Sequence, residues 1–188
     1  FEKKVLRGKS FYSTAQQIFK QKSHINIATL GDQGCGKTTL TQAILKTLNN
    51  NESLHDTNLD FFQLNESKLK NASSCLTSNI EFETNYRHYL LADNPGNSDY
   101  ITNFIVGTSQ CEAGILVVDG INGTNNITKE HIIIANHMGI KQLIVYITKL
   151  DHESFDPELM SLIEMEVKEL LESYNYDVDE IPFIYGSG

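Results

Sequence analysis

The stretch "GDQGCGKTT", residues 31 to 39, holds Gly31, Gly36, Lys37 and Thr38 in the spacing G-x-x-x-x-G-K-[ST]. That spacing suits a polyphosphate. Successive backbone N–H groups of such a loop wrap phosphate oxygens, and the positive end of the following helix adds to their potential. Lys37 then reaches the outer phosphates, and the Thr38 hydroxyl is placed to ligate Mg²⁺. The alternative is a glycine-rich turn between strand and helix. Given the ordinary abundance of glycine, a chance match in a chain of this length is on the order of one in a hundred.

Two later stretches add to the loop. In "DNPG", Asp93 ends an apolar run and Gly96 follows three residues on. In phosphate-loop proteins such an Asp holds Mg²⁺ through water, and the Gly N–H meets the terminal phosphate. In "TKLD", Thr148 to Asp151, the Asp151 carboxylate can accept two hydrogen bonds from guanine, from N1–H and from the exocyclic amine. Adenine lacks both donors, and a site built around such an acceptor rejects it strongly. The Lys149 stem can cover the base face. Either motif alone is common, but three in this order, each at a strand's C-terminal end, point to one ligand edge of an α/β sheet.

The elements that must position these residues alternate along the chain. "INIATL" (25–30) is an apolar strand ended by glycine, and "TTLTQAILKTL" (38–48) carries Leu40, Ile44 and Leu48 on one helical face. Residues 49 to 78 are polar, without a sustained period, and read as a long mobile connection. "IEFET" and "YRHYLLAD" read as strands, followed by a helix near 98–109. Then come the strand "GILVVDG" (114–120), a helix at 128–139 and the strand "KQLIVYITK" (141–149). Asp156 and Pro157 open the last helix, whose stripe includes Leu159, Ile163, Val167 and Leu171, and "IPFIYG" is a final strand. The expectation is an α/β P-loop NTPase fold, a mostly parallel six-stranded sheet with helices on both faces. Arg87 and His88 on the third strand read as surface or packing groups.

Composition sets limits. The 188 residues, 40% hydrophobic and 21% charged, suffice for one well-cored domain. No run of 18 apolar residues occurs, so no membrane insertion is expected. Net charge is −9, yet residues 1 to 23 carry +5, leaving −14 on the remainder. An acidic body of that kind disfavours non-specific nucleic-acid binding. The basic lead, residues 1–22, reads equally as a solvated arm or as the remnant of an organelle-targeting leader. Cys35, Cys75 and Cys111 are scattered and read as reduced thiols of an intracellular compartment. Cys35, inside the loop, is open to two readings: a thiolate whose oxidation blocks the ligand, or a small tolerated residue.

On "SHINIATLGDQGCGKTTLTQAI", "YRHYLLADNPGNSDYITNFIVGTSQCEAGILVVDG", "TKEHIIIANHMGI" and "PELMSLIEMEVKELLESYNY", the chain resembles the GTP-binding domain of translation elongation factor Tu. The resemblance runs from about residue 23 to the end. It implies a GTP-binding domain over 23–188 that holds GTP or GDP with Mg²⁺. The implied guanine-nucleotide residues are Asp32, Gln33, Gly34, Cys35, Gly36, Lys37, Thr38, Thr39, Asp93, Gly96, Thr148, Lys149, Asp151 and Ser187. Ser187, in the closing "GSG", falls where the family has its Ser-Ala guanine-side motif. The family's two following β-barrel domains are absent from these residues. Ribosome and aminoacyl-tRNA are partners by resemblance only, and through those missing domains. A mitochondrial-matrix member would suit the basic lead, the alternative being a cytoplasmic one.

Departures from the family pattern sort by task. The family's loop "GHVDHGKT" has Val and Asp where Gln33 and Gly34 stand. Its "RGIT" corresponds by spacing to "NASS", residues 71–74, so that Ser73 replaces the Ile and Ser74 the Mg²⁺-ligating Thr. Thr77, with a shifted loop, is the alternative for that ligand. The expected metal set is therefore Thr38, Ser74 and, through water, Asp93. The family's water-positioning His after "DCPG" is Asn97 here, and the Asn of its "NKxD" is Thr148. Contacts to phosphate, metal and base are kept while groups that activate water are changed. The sequence thus predicts a GTP-binding module weakened in hydrolysis. Its rival is a catalytically inactive module serving as a structural or interaction subunit of a larger assembly, and an ATP-dependent kinase on the same fold is disfavoured by Asp151.

Overall fold

The computed structural model describes residues 22–50, 77–84, 86–151 and 156–187. Most of the basic lead and of the polar connection, including Ser73, Ser74 and Cys75, lies outside the described residues.

The described chain runs β1 (Ser23–Leu30), α1 (Lys37–Asn50), β2 (Ser78–Glu83), β3 (Arg87–Asp93), a 3-10 turn (Ser98–Tyr100), α2 (Ile101–Thr108), β4 (Ala113–Asp119), α3 (Asn126–His137), β5 (Gln142–Thr148), α4 (Pro157–Ser173), a second 3-10 turn (Val178–Glu180) and β6 (Phe183–Tyr185). The six strands form one sheet in the order β2-β3-β1-β4-β5-β6. Only β2 runs antiparallel, pairing with β3 at the edge, where Phe82 stacks on Tyr89. All other pairs are parallel. The sheet is the expected mostly parallel, six-stranded one.

Apolar residues decide which helix covers which face. Ala28 and Leu30 of β1, Leu116 and Val118 of β4, and Val145 and Ile147 of β5 recur at period two and therefore share a face. They cluster with Phe104 of α2, Ile132 and Ala135 of α3, and Ile163, Val167 and Leu171 of α4. Thr29 and Val117, which alternate with these, are also buried, as are Thr41 and Leu45 of α1, which covers the opposite face. Each fully buried Leu, Ile or Phe contributes roughly 1.5–3 kcal/mol.

Boundary shifts have local causes. The helix expected at 98–109 is split into the 3-10 turn and α2, because Asn97 Oδ1 accepts from Asp99 N at 3.1 Å and starts a tight turn early. The helix expected from 128 starts at Asn126, since Asn125 Oδ1 accepts from Thr128 N at 2.9 Å as its cap. Asp156 caps α4 as the sequence suggests, accepting from Glu158 N at 3.0 Å, with Pro157 in the first turn. The last strand is shortened to three residues; Pro182 has no N–H, though its carbonyl accepts from Val145 N. Among the described residues no helix is long and apolar enough to cross a membrane.

Leu116, fully buried at the centre of β4, is the place to test this core. Leu116→Ala is expected to lower unfolding free energy by about 2–5 kcal/mol in urea titrations. A loss under 1 kcal/mol would place the core elsewhere.

Candidate nucleotide-binding site

Because β1, β3, β4 and β5 are parallel, their C-terminal ends lie on one edge of the sheet. The chain leaves β1 between two neighbours, β3 on one side and β4 on the other, which opens a crevice outside its end. The loop 31–36 fills the rim of that crevice. Gly34 and Gly36 take φ of +77° and +104°, a left-handed backbone that turns amides toward one side. Leu40 N then bonds Gly36 O at 2.9 Å, and α1 begins.

Lys37 is only 6% exposed, and its Nζ donates to Gly31 O at 3.0 Å and Asp32 O at 2.6 Å. The loop's own carbonyls thus hold the ammonium at its centre. Cys35 Sγ lies beside that ammonium, but burial pushes the thiol's pKa up, with Lys37 opposing only in part. The geometry suits a packed small side chain rather than a reactive thiolate. Gln33, Gly34 and Thr39 are exposed on the open side of the loop.

Thr38 Oγ1 donates to Asp93 Oδ2 at 2.7 Å, and Thr29 Oγ1 donates to Asp93 Oδ1 at 3.2 Å. Burial raises the Asp93 pKa, against the hydroxyl donors and Lys37. A desolvated carboxylate beside a hydroxyl is a hard-oxygen pair that a divalent cation would stabilise. Mg²⁺ takes few protein ligands and completes its shell with phosphates and water, so the pair fits it. Among the described residues no cluster of three His, Cys, Asp or Glu competes as a metal centre. Thr77 is engaged elsewhere: its hydroxyl donates to Asn94 Oδ1 at 3.2 Å and Asn103 O at 3.3 Å.

Gly96 is pressed against the loop. A Cβ there would stand 2.6 Å from Gln33 N and 2.6 Å from the Asp32 carbonyl carbon, so no side chain fits without displacing backbone. Asn97, next in the chain, is half-buried, and its side-chain oxygen faces the Asp99 amide.

At the far end of the edge, Thr148 Oγ1 donates to Cys35 O at 2.7 Å, with Val118 O at 3.2 Å as a second acceptor. Thr148 therefore ties the turn 148–151 to the loop 31–36. Lys149 has a left-handed φ of +61°, and its Nζ pairs with Asp119 Oδ2 at 2.6 Å. Asp151 sits exposed in the following turn. Gly186 N donates to Ile147 O at 3.0 Å, which leaves the exposed Ser187 just past the end of β6, on the same edge.

Several residues absent from the sequence reading complete the site. His131 of α3 is fully buried, stacks on Phe104 at 3.8 Å, and accepts from Gly31 N through Nδ1 at 3.1 Å. That acceptor role puts the proton on Nε2, which has no partner. Asn125 Nδ2 donates to Asp32 Oδ2, while the other Asp32 oxygen takes Gln33 N at 2.6 Å. Asn94, between Asp93 and Pro95, bonds Thr29 and Thr108. The available signal was the position of Asn125 directly before an apolar-periodic helix; nothing local marks His131.

Compared with known families, the chain matches the model described as "Elongation factor Tu GTP binding domain" over residues 22–188.

Burial above all, and then the Lys37 charge, push the His131 pKa down to about 3. A protonated ring also could not accept from Gly31 N–H. The unfolded chain, with an ordinary histidine near 6.5, takes up a proton that the folded chain refuses. Stability is therefore full above about pH 6.5 and falls as pH drops toward about 3. Asp93, raised by burial, acts with the opposite sign. Urea titrations at pH 7, 6 and 5 on wild type and His131→Phe isolate the ring. Wild type is expected to lose up to about 1.4 kcal/mol per pH unit relative to the variant. Parallel curves would mean that His131 protonates at no cost.

Proposed function

The chain belongs to the family of elongation factor Tu GTP-binding domains, and from that membership we propose that residues 23–188 bind GTP and GDP through the crevice described above and cleave GTP poorly. The observation that carries the binding half is the convergence of three motifs: Thr38 on Asp93, Gly96 on the loop, and Thr148 on Cys35. In this reading the loop amides and Lys37 hold the phosphates, while Asp151 and Lys149 take the base, with Ser187 beside them. Thr38 and Asp93, the latter through water, hold Mg²⁺, which when bound neutralises charge across the outer phosphates. Ser74, the remaining proposed ligand, lies outside the described residues.

Poor cleavage rests on Asn97. Its side-chain oxygen accepts from Asp99 N at 3.1 Å, its amide nitrogen can only donate, and an amide is no base at neutral pH. Neither half can accept a proton from an attacking water. Removing one positioning group costs about 10²–10³ in rate, and losing a whole activated arrangement up to about 10⁵. Delivery of aminoacyl-tRNA to a ribosome, in a mitochondrial setting suited to the basic lead, belongs to this reading only with further domains. The same Asn97, a turn cap rather than a base, favours a second reading, a nucleotide-loaded interaction module within a larger assembly.

Loading the purified chain with Mg²⁺ and GTP, then following the bound nucleotide by chromatography over hours, is expected to find GTP intact. Appreciable conversion to GDP would sink the impaired-cleavage reading. Asn97→His is expected to raise turnover, by about 10² where position is the only defect. Asp151→Asn should cut the preference for GTP over ATP by about a hundredfold or more in competition binding, because the paired acceptor is lost. A preference that survives would place the base elsewhere.

A further inference from the structure

Asp119 ends β4 outside the motifs that bind nucleotide, and it is only 7% exposed. Its carboxylate is saturated with donors. Oδ2 accepts from Lys149 Nζ at 2.6 Å and Asn122 Nδ2 at 2.7 Å, and Oδ1 accepts from Ile121 N at 2.9 Å and Asn122 N at 3.4 Å. Two further bonds weld this turn to the base loop and to itself: Gly120 N donates to Thr148 O at 3.0 Å, and Gly123 N to Asp119 O at 2.9 Å. The residue held in this way is Lys149, a non-glycine residue kept left-handed at φ +61°. Such a backbone persists only where its surroundings over-determine it.

We propose that Asp119 is a positioning residue for the guanine base, anchoring the Lys149 ammonium so that the lysine's four-carbon stem stands as a fixed wall of the base site. The proposal rests on the guanine-nucleotide reading above. A free lysine stem must lose its rotamer freedom on each binding event. Pinned at both ends, by its strained backbone and by the Asp119 carboxylate, the stem has already lost it. Burial alone would raise the Asp119 carboxyl pKa, yet the Lys149, Ile121 and Asn122 donors hold it below the usual range, so it stays ionised at neutral pH. An ordinary surface ion pair would contribute little and would leave base recognition untouched. The proposed pair differs because the half-exposed partner is itself a wall of the site.

The test compares wild type, Asp119→Ala, Lys149→Met and the double variant for affinity toward GTP, ATP and inorganic triphosphate, with melting followed by circular dichroism. Asp119→Ala is expected to weaken GTP about tenfold while leaving triphosphate unchanged, since only the base wall is loosened. Placed in the Lys149→Met background, Asp119→Ala is expected to have no further effect on GTP. The proposal is overturned by equal weakening of GTP and triphosphate, by a full effect persisting in the Met background, or by no effect in a folded variant. If Asp119→Ala fails to fold, Asp119→Asn carries the same test, because it can keep the Oδ1 bonds to Ile121 N and Asn122 N while replacing the Oδ2 acceptor of Lys149 and Asn122 Nδ2 with a donor. A wild-type chain that binds ATP as well as GTP would instead refute the guanine reading itself, before any variant is measured.

Discussion

A loop that cradles phosphate must leave amides aimed inward for the ligand, so internal hydrogen bonds such as Gln33 N to Asp32 Oδ1 can hold only part of it. Here the loop is held from outside. Gly31 N goes to His131 on α3, the Asp32 carboxylate meets Asn125 at the start of the same helix, and the Cys35 carbonyl accepts from Thr148 at the end of β5. Lys37 closes the loop from within by donating to the Gly31 and Asp32 carbonyls. Preorganised dipoles of this kind need little rearrangement when the ligand arrives, which makes them worth more than flexible donors in water. Each tether comes from an element far away in sequence, so the loop's shape depends on the whole parallel sheet being in register.

The same register explains the buried polar network beneath the loop. Asp93, Thr29, Asn94 and Thr108 are all nearly inaccessible, and each is satisfied by another member or by a strand carbonyl. A half-satisfied set would be costlier than an apolar core. The set is arranged so that one carboxylate oxygen of Asp93 faces the Thr38 hydroxyl at the start of α1. Local charge then opposes global charge. The chain as a whole is at −9, whereas the crevice holds Lys37 and a helix start, so the local potential there runs against the net charge.

The motifs that converge at this edge were legible in the sequence because each is a short, local pattern: a glycine spacing after β1, an Asp at the end of β3, a Lys-x-Asp after β5. Strand alternation and the Asp156-Pro157 cap likewise act over a few residues. The tethers were not legible. His131 lies 100 positions from Gly31, within a run of Ile and Ala that reads as one apolar face. Asp119 reads as a polar strand end, and only the left-handed Lys149 brings the ammonium back to it. Thr77, an alternative for the metal, is taken by Asn94 and Asn103, a competition that no spacing announces.

Holding a nucleotide and cutting it draw on different parts of such a site, and this is why one can weaken without the other. Holding uses backbone amides, one ammonium and strand-end carboxylates, all fixed by the sheet. Cutting needs one more group, placed just past the glycine that touches the loop, with a free acceptor at the right reach. In the proposed reading Asn97 stands at that position, but its chain is short, it is no base, and its oxygen accepts from Asp99 N at the start of the 3-10 turn. The proposed loss of cleavage is therefore a local exchange in which a short, non-basic amide that caps the turn stands where a longer or basic group would reach the water, with Gly96 and the phosphate loop left undisturbed.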